Sequence, residues 1–395
     1  MVPAFSGGPG SASEPRSVYI HVPFCARKCE YCAFYSTSAD GELIRRYVGA
    51  LVREIRERSG SWGRPLETVF FGGGTPSLLT LSQWELLLGV WEGLGLSGVG
   101  EWTVECNPAT LSEDKARLLR AGGVNRISLG VQSLDEGLLD RLGRVHSRDM
   151  VFRSYDVLRR AGFENINLDL MFAIPGQTMA SWEATVREAL AMGSEHLSCY
   201  EVIYEDDTPL FAQLRAGEFE VDEELAERMY ERWVEAADGA GYRQYEVANF
   251  ARDGAGGELP ERACRHNVNY WRGGRYAGLG PSASGYEGEV RYRQVSSTQA
   301  YCQAIDTGAS AREWVDGLSG LARAGEVAAF GLRMNAGWPW EAFRRATGYD
   351  LREGWSAAMA TLKGRGWGVE EADRFRLTAQ GMRFADAAGS EFVGG

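Results

Sequence analysis

The sequence predicts an α/β protein, an incomplete (β/α)6 barrel of the TIM type followed by a small C-terminal α+β domain. Three observations predict it. Short β-rich runs alternate with amphipathic helical stretches between residue 17 and about residue 240. Cysteines, glycines, carboxylates and amides collect just beyond the ends of those runs, where a parallel barrel carries its chemistry. The rhythm then breaks, and the last part of the chain reads as helices with a strand pair.

Taken in order, the strand candidates are SVYIHV (17–22), ETVFF (67–71), EWTVEC (101–106), RISLGV (126–131), NINLDLMF (165–172) and HLSCYEV (196–202). Each is short and rich in β-branched or aromatic residues. Between them lie LIRRYVGALVREIRER, LSEDKARLLRAG, MVFRSYDVLRRAG, SWEATVREALAMG and EELAERMYERWVEAADGAG, with apolar residues at helical spacing and several closing on Gly. YRQYEVANFA reads as one further strand, followed by the Gly-rich DGAGGELP and by CRHNVNYWRGGRYAGLGPSASGY. These changes divide the chain into a flexible tail (1–16), a barrel (17–241), a barrel extension (242–317) and a C-terminal domain (318–395).

Composition limits the function. With 395 residues, 44% hydrophobic and 24% charged, the chain is an ordinary globular protein with room for two or three cores. A net charge of -12 argues against sequence-independent nucleic-acid binding, which depends on Lys and Arg. No apolar run reaches the ~18 residues of a membrane span. The N-terminal stretch lacks a basic region and an apolar core, and reads as a tail rather than a signal peptide. Seven cysteines, three of them crowded, suit a reducing cytoplasm and a metal or catalytic use of thiols.

Cys25, Cys29 and Cys32 form a C-x3-C-x2-C cluster directly after the first strand. Three uses compete for them. Structural zinc wants four ligands, and only His21 stands nearby to complete the set. The cysteines could be inert or disulfide-forming. A four-iron cube held by three thiolates leaves one iron open to an external ligand.

The run Y-I-H-V-P-F-C-x3-C-x-Y-C resembles the radical S-adenosylmethionine (SAM) superfamily, in its coproporphyrinogen-oxidase-like branch. FFGGGTPS, VECNP, RISLGVQS, LGRVHS, NLDLMFAIPGQT and HLSCYEV match that branch in the same order. The resemblance implies a [4Fe-4S] cluster on Cys25, Cys29 and Cys32, with SAM chelating the fourth iron. It also implies SAM contacts from Gly72, Gly73, Gly74, Thr75, Glu105, Gln132, Arg144 and Asp169, while Tyr19 and Tyr31 flank the cluster and could pack either on SAM or, for an aromatic beside the first strand, equally in the core. Glycines at the GGG turn let backbone approach a ligand closely, and Glu105 and Asp169 are carboxylates suited to ribose hydroxyls.

Two departures divide the branch. Its coproporphyrinogen dehydrogenases carry one more cysteine two residues after the third, where this chain has Phe34. His266-Asn267-x-x-Tyr270-Trp271 matches the H-N-x-x-Y-W signature of the HemW-type haem chaperones of the branch. That resemblance implies haem as cargo, with His266 suited to axial ligation and Tyr270 and Trp271 as flat faces for the porphyrin; Cys264, two residues before His266, is a candidate second soft ligand by its position alone. GLRMNAGWPWEAF, TLKGRGWG and RFRLTAQGMRF resemble the winged-helix-like domain of the branch, expected here as a lid or docking module over the barrel opening and not a DNA reader. The expected function is haem binding and delivery to haem-dependent proteins such as membrane-associated respiratory enzymes, in a cytoplasmic protein with peripheral membrane contact. A cluster-dependent homodimer is the family's expectation. The alternative is an enzyme: a methyltransferase, a cyclopropanase or a coproporphyrinogen dehydrogenase.

Overall fold

The computed structural model describes residues 14–254, 256–318 and 320–393. The tail expected over 1–16 lies outside the described residues as far as residue 13.

The barrel strands form where the sequence puts them: β1 (Ser17–Val22), β2 (Thr68–Gly73), β3 (Glu101–Cys106), β4 (Arg126–Gln132), β5 (Ile166–Phe172) and β6 (His196–Glu201). All six run parallel in that order. They are buried along most of their length, as strands covered on both faces must be. The helices between them start on side-chain caps. Asp40, Thr80, Ser112, Ser147 and Thr178 each accept a backbone N–H in the first turn of the helix that follows. One continuous apolar core fills the space between sheet and helices, with Trp84, Trp91 and Trp102 fully buried in it.

The single strand expected in YRQYEVANFA is two: β7 (Tyr242–Gln244) and β8 (Asn249–Arg252), paired antiparallel. The chain turns back because Tyr245 N–H bonds Asn249 O at 3.1 Å and the Glu246 carboxylate accepts Ala248 N–H at 3.1 Å. β8 then lies antiparallel to β6. At the far edge, a strand absent from the sequence reading, β9 (Ala277–Leu279), pairs parallel with β1. The nine-stranded sheet runs β9-β1-β2-β3-β4-β5-β6-β8-β7 and stays open, with no pairing between its two edges.

Beyond residue 320 a second apolar core, from Ala324 to Phe392, gathers short helices around a three-stranded antiparallel sheet. ADRFRLTAQGMRFADAAG supplies one strand, Arg374–Leu377, and not a pair; its hairpin partner is Gly368–Glu370. Thr378 caps the next turn, so the rest of the stretch forms the helices Ala379–Arg383 and Ala385–Ser390.

Candidate cluster and cofactor cavity

The loops that leave the carboxyl ends of β1 to β6 enclose a cavity of about 470 Å³. Cys25, Cys29 and Cys32 line it together and form no disulfide. The loop carrying them is fixed from three sides. Phe24–Cys25 pairs with Thr37–Ser38. The turn after β2 is tied in by Gly74 N–H to Val22 O and Thr75 N–H to Phe24 O, both 2.8 Å. Glu30 bonds the loops after β4 and β6 through Leu142 O and Leu210 N–H.

Two of the three sulfurs have a side-chain donor aimed at them. Arg144 Nη1 donates to Cys29 Sγ at 3.4 Å, and Thr75 Oγ1 donates to Cys25 Sγ at 3.6 Å. Burial pushes the Cys25 and Cys32 thiols up in pKa, so a positive centre is needed to hold them ionised. Among the described residues no three His, Cys, Asp or Glu side chains close on a single ion. His21, the candidate fourth zinc ligand, is spent elsewhere: Nδ1 bonds Tyr19 Oη at 3.1 Å and Nε2 bonds Tyr35 O at 2.9 Å. Three free thiols on one cavity wall, beside a guanidinium whose Nε has no partner among the described residues, fit an iron–sulfur cube better than zinc.

Of the ten candidate SAM contacts, Tyr31, Gly73, Gly74, Thr75, Glu105, Gln132, Arg144 and Asp169 line this cavity. Tyr19 and Gly72 do not. Tyr19 packs inward against Phe70 and His266, and a side chain at Gly72 would press on the Glu105 carboxyl at 3.0 Å. The glycines of the turn are therefore demanded by the protein itself as much as by a ligand. Gly73 has φ of 100°, and a Cβ there would run into the His21 ring; one at Gly74 would lie 2.6 Å from Val22 O.

The carboxylates are positioned rather than merely present. Glu105 Oε2 accepts Gly73 N–H at 3.1 Å. Burial, reinforced by the nearby Asp169 charge, pushes its pKa up to about 8. Asp169 accepts Ser128 Oγ at 3.0 Å and Asn167 Nδ2 at 2.8 Å; burial raises its pKa while these bonds and Arg126 oppose the rise. Gln132 ends β4 at φ 64°, an uncommon conformation for a non-glycine, where the β4–β5 register shifts. Ser128 and Asn167, which hold Asp169, were not singled out from sequence, since neither residue type in a strand signals a partner across the sheet.

The CRHNVNYW segment lies at the opposite end of the barrel. Residues Arg265–Trp271 form a helix whose first N–H groups, Arg265 and His266, each donate at 3.0 Å to Glu101, the first residue of β3. His266 is 1% exposed, and both ring nitrogens are paired: Nδ1 with Thr68 Oγ1 and Nε2 with Tyr270 Oη, each at 2.7 Å. Burial, together with the Arg126 charge, lowers its pKa to about 3, so the imidazole is neutral. The expectation of a free axial nitrogen at His266 is not met here, because the ring bridges β2 to its own helix. Tyr270 stacks edge-on against Tyr276, and Trp271 meets Phe330 and Arg333 of the C-terminal unit, so neither offers an open face. Cys264 is fully buried with Sγ 3.6 Å from Glu101, and Asn267 is half-buried.

Residues 19–189 match the Radical SAM superfamily and residues 318–384 the HemN C-terminal domain. The chain is 33% identical to the heme chaperone HemW of Lactococcus lactis over 96% of this chain and 98% of that one. With heme chaperone HemW of Bacillus subtilis it shares 33% identity over 96% and 99%. With the mitochondrial radical S-adenosyl methionine domain-containing protein 1 of Bos taurus it shares 32% over 97% and 89%. Among solved structures, the coproporphyrinogen III oxidase HemN of Escherichia coli superposes with a TM-score of 0.81, covering 97% of this chain and 91% of that one. At 20% identity that likeness speaks for the fold alone. The chain belongs to the HemW family within the radical SAM superfamily.

Proposed function

We propose that this protein binds haem and delivers it to haem-dependent proteins, with a [4Fe-4S] cluster and SAM held in the barrel cavity. The observation that carries the reading is Phe34. It stands where the porphyrin dehydrogenases of the branch carry a further cysteine, in a chain otherwise similar from end to end to proteins named as heme chaperones.

In this reading Cys25, Cys29 and Cys32 would ligate the cluster, and Arg144 and Thr75 would donate to the sulfurs and stabilise their negative charge. Glu105, Asp169, Gln132 and the Gly73–Gly74 edge would hold SAM, with Ser128 and Asn167 keeping Asp169 aimed into the cavity. When bound, the cluster and SAM supply one-electron reductive chemistry. Among the described residues no helix is long and apolar enough to cross a membrane. Delivery to respiratory enzymes, peripheral membrane contact, a cytoplasmic location and a cluster-dependent homodimer belong to the proposal.

The competing enzyme reading draws on the same cavity, whose carboxylates and arginine are equipped for SAM and so for radical chemistry on an organic substrate. One experiment separates the two. The chain is reconstituted anaerobically with iron, sulfide and SAM, then given haem in one aliquot and coproporphyrinogen with a reductant in another. Stoichiometric haem uptake without oxidised porphyrin supports the chaperone, whereas porphyrin product supports the enzyme.

A further inference from the structure

The two most exposed large apolar side chains among the described residues lie at the same cavity mouth. Phe34 is 68% exposed and Ile203 67%, and with Val145 and Tyr200 they ring the mouth of the cluster cavity. Phe34, Val145 and Ile203 come from the three loop regions after β1, β4 and β6, and Tyr200 from the end of β6 itself, so the patch is assembled by the fold and not by one apolar run. An apolar ring of this kind at a cavity mouth marks a binding surface.

Charge narrows the occupant. Arg27 and Lys28 border the same mouth on the cluster-loop side. Arg27 makes only a loose contact with Glu30 at 3.7 Å, and Lys28 has no ion pair among the described residues. Glu201 and Glu205 face them from the β6 side. The mouth thus offers an apolar face with cations along one edge and anions along the other. A flat amphiphile with an apolar ring and carboxylates on one edge only is complementary to it in one orientation. The alternative segment, CRHNVNYW, has its imidazole paired on both nitrogens at the far end of the barrel.

We propose that haem is held across the mouth of the cluster cavity, its porphyrin face on Phe34 and Ile203 and its propionates towards Arg27 and Lys28. This rests on the haem-cargo reading above and gives that cargo a place. The interior remains for cluster and SAM, and the haem covers them from outside.

The test uses the full chain, cluster-loaded and SAM-bound, titrated with ferric haem while the Soret band is followed. Phe34→Glu and Ile203→Glu each put a carboxylate under the porphyrin at an exposed position that folding does not need. Each is expected to weaken haem binding by about tenfold or more, with the iron–sulfur absorbance intact. Ile203 is remote in sequence from the cysteines, so its variant separates haem loss from cluster damage. Arg27→Ala/Lys28→Ala should weaken haem severalfold but leave the affinity for haem dimethyl ester, which lacks propionate charge, unchanged. Wild-type haem affinity in both glutamate variants would overturn the proposal. So would a change confined to oligomeric state, which would give the rim to a protein partner. A wild-type chain that takes up no haem at all would remove the haem-cargo reading itself.

Discussion

At the scale of the residue, Glu105 is a carboxyl under marked electrostatic tension in the cavity. Its carboxyl faces Asp169 across a shielded space and is held by one backbone N–H. The folded pKa of about 8 lies above the ordinary 4.5, so the folded chain binds a proton there that the unfolded chain gives up first. The stabilising contribution is complete below about 4.5 and is lost as pH rises through about 8. Glu105 should therefore add a downward component to the denaturant midpoints of the cluster-free chain between pH 5 and pH 8, and Glu105→Gln should remove that component relative to the wild type. An unchanged slope in the variant would show that Glu105 is not the group responsible. Asp169 was legible in the sequence as a carboxylate late in a strand. Its two hydrogen-bond donors were not, because Ser128 and Asn167 approach it only once β4 and β5 pair.

At the scale of the element, the cluster loop and the capping helix behave differently. The loop's chemistry was legible because ligand spacing is local. Cys29→Ala removes one thiolate of three and the partner of Arg144, and the broad iron–sulfur absorbance should be absent after anaerobic reconstitution. Retention of the absorbance at full iron content would exclude the assigned ligand set. The helix Arg265–Trp271 read from sequence as a ligand-bearing segment, and the structure makes it a plug. What sequence could not supply were its partners, since Thr68 and Glu101 lie well over a hundred residues away in the chain. Glu101 sits at the helix N-terminus, where a carboxylate offsets the exposed N–H groups and the dipole. Glu101→Ala leaves two N–H groups and the buried Arg126 without that carboxylate, and should cost about 3 kcal/mol of stability. Hydrogen exchange at Arg265 and His266 should accelerate, and protection as in the wild type would refute the capping role. The strands of the barrel were legible for the same reason as the cysteines: β-rich runs are local. β9, three residues long, and the β7–β8 hairpin carried too little pattern to be read.

At the scale of the molecule, the barrel has two ends with different characters. The carboxyl ends of the strands hold an open, charged cavity with three free thiols. The amino ends are closed by buried hydrogen bonds that link Glu101, Cys264, Tyr245 and His196, with the His266 ring and the buried charge of Arg126 beside them. The C-terminal unit docks on the closed end and its flank. Asn335 N–H bonds Tyr245 O at 3.0 Å, and Arg272 Nη1 reaches Gly337 O at 2.6 Å. The exposed ion pairs of Arg383 with Glu227 and Glu231 add little to that contact. The C-terminal unit therefore stabilises the far side of the barrel and leaves the mouth open, so the lid expected over the barrel opening is not formed by it.

The central claim is that this open mouth serves a haem carrier and not a porphyrin oxidase. The most direct measurement is a spectroscopic haem titration of the cluster-loaded, SAM-bound chain, run beside a coproporphyrinogen turnover assay on the same preparation. Saturable uptake of haem at a fixed stoichiometry, with no oxidised porphyrin formed, is the predicted result. Porphyrin product accumulating beyond one turnover, with no saturable haem binding, would contradict it.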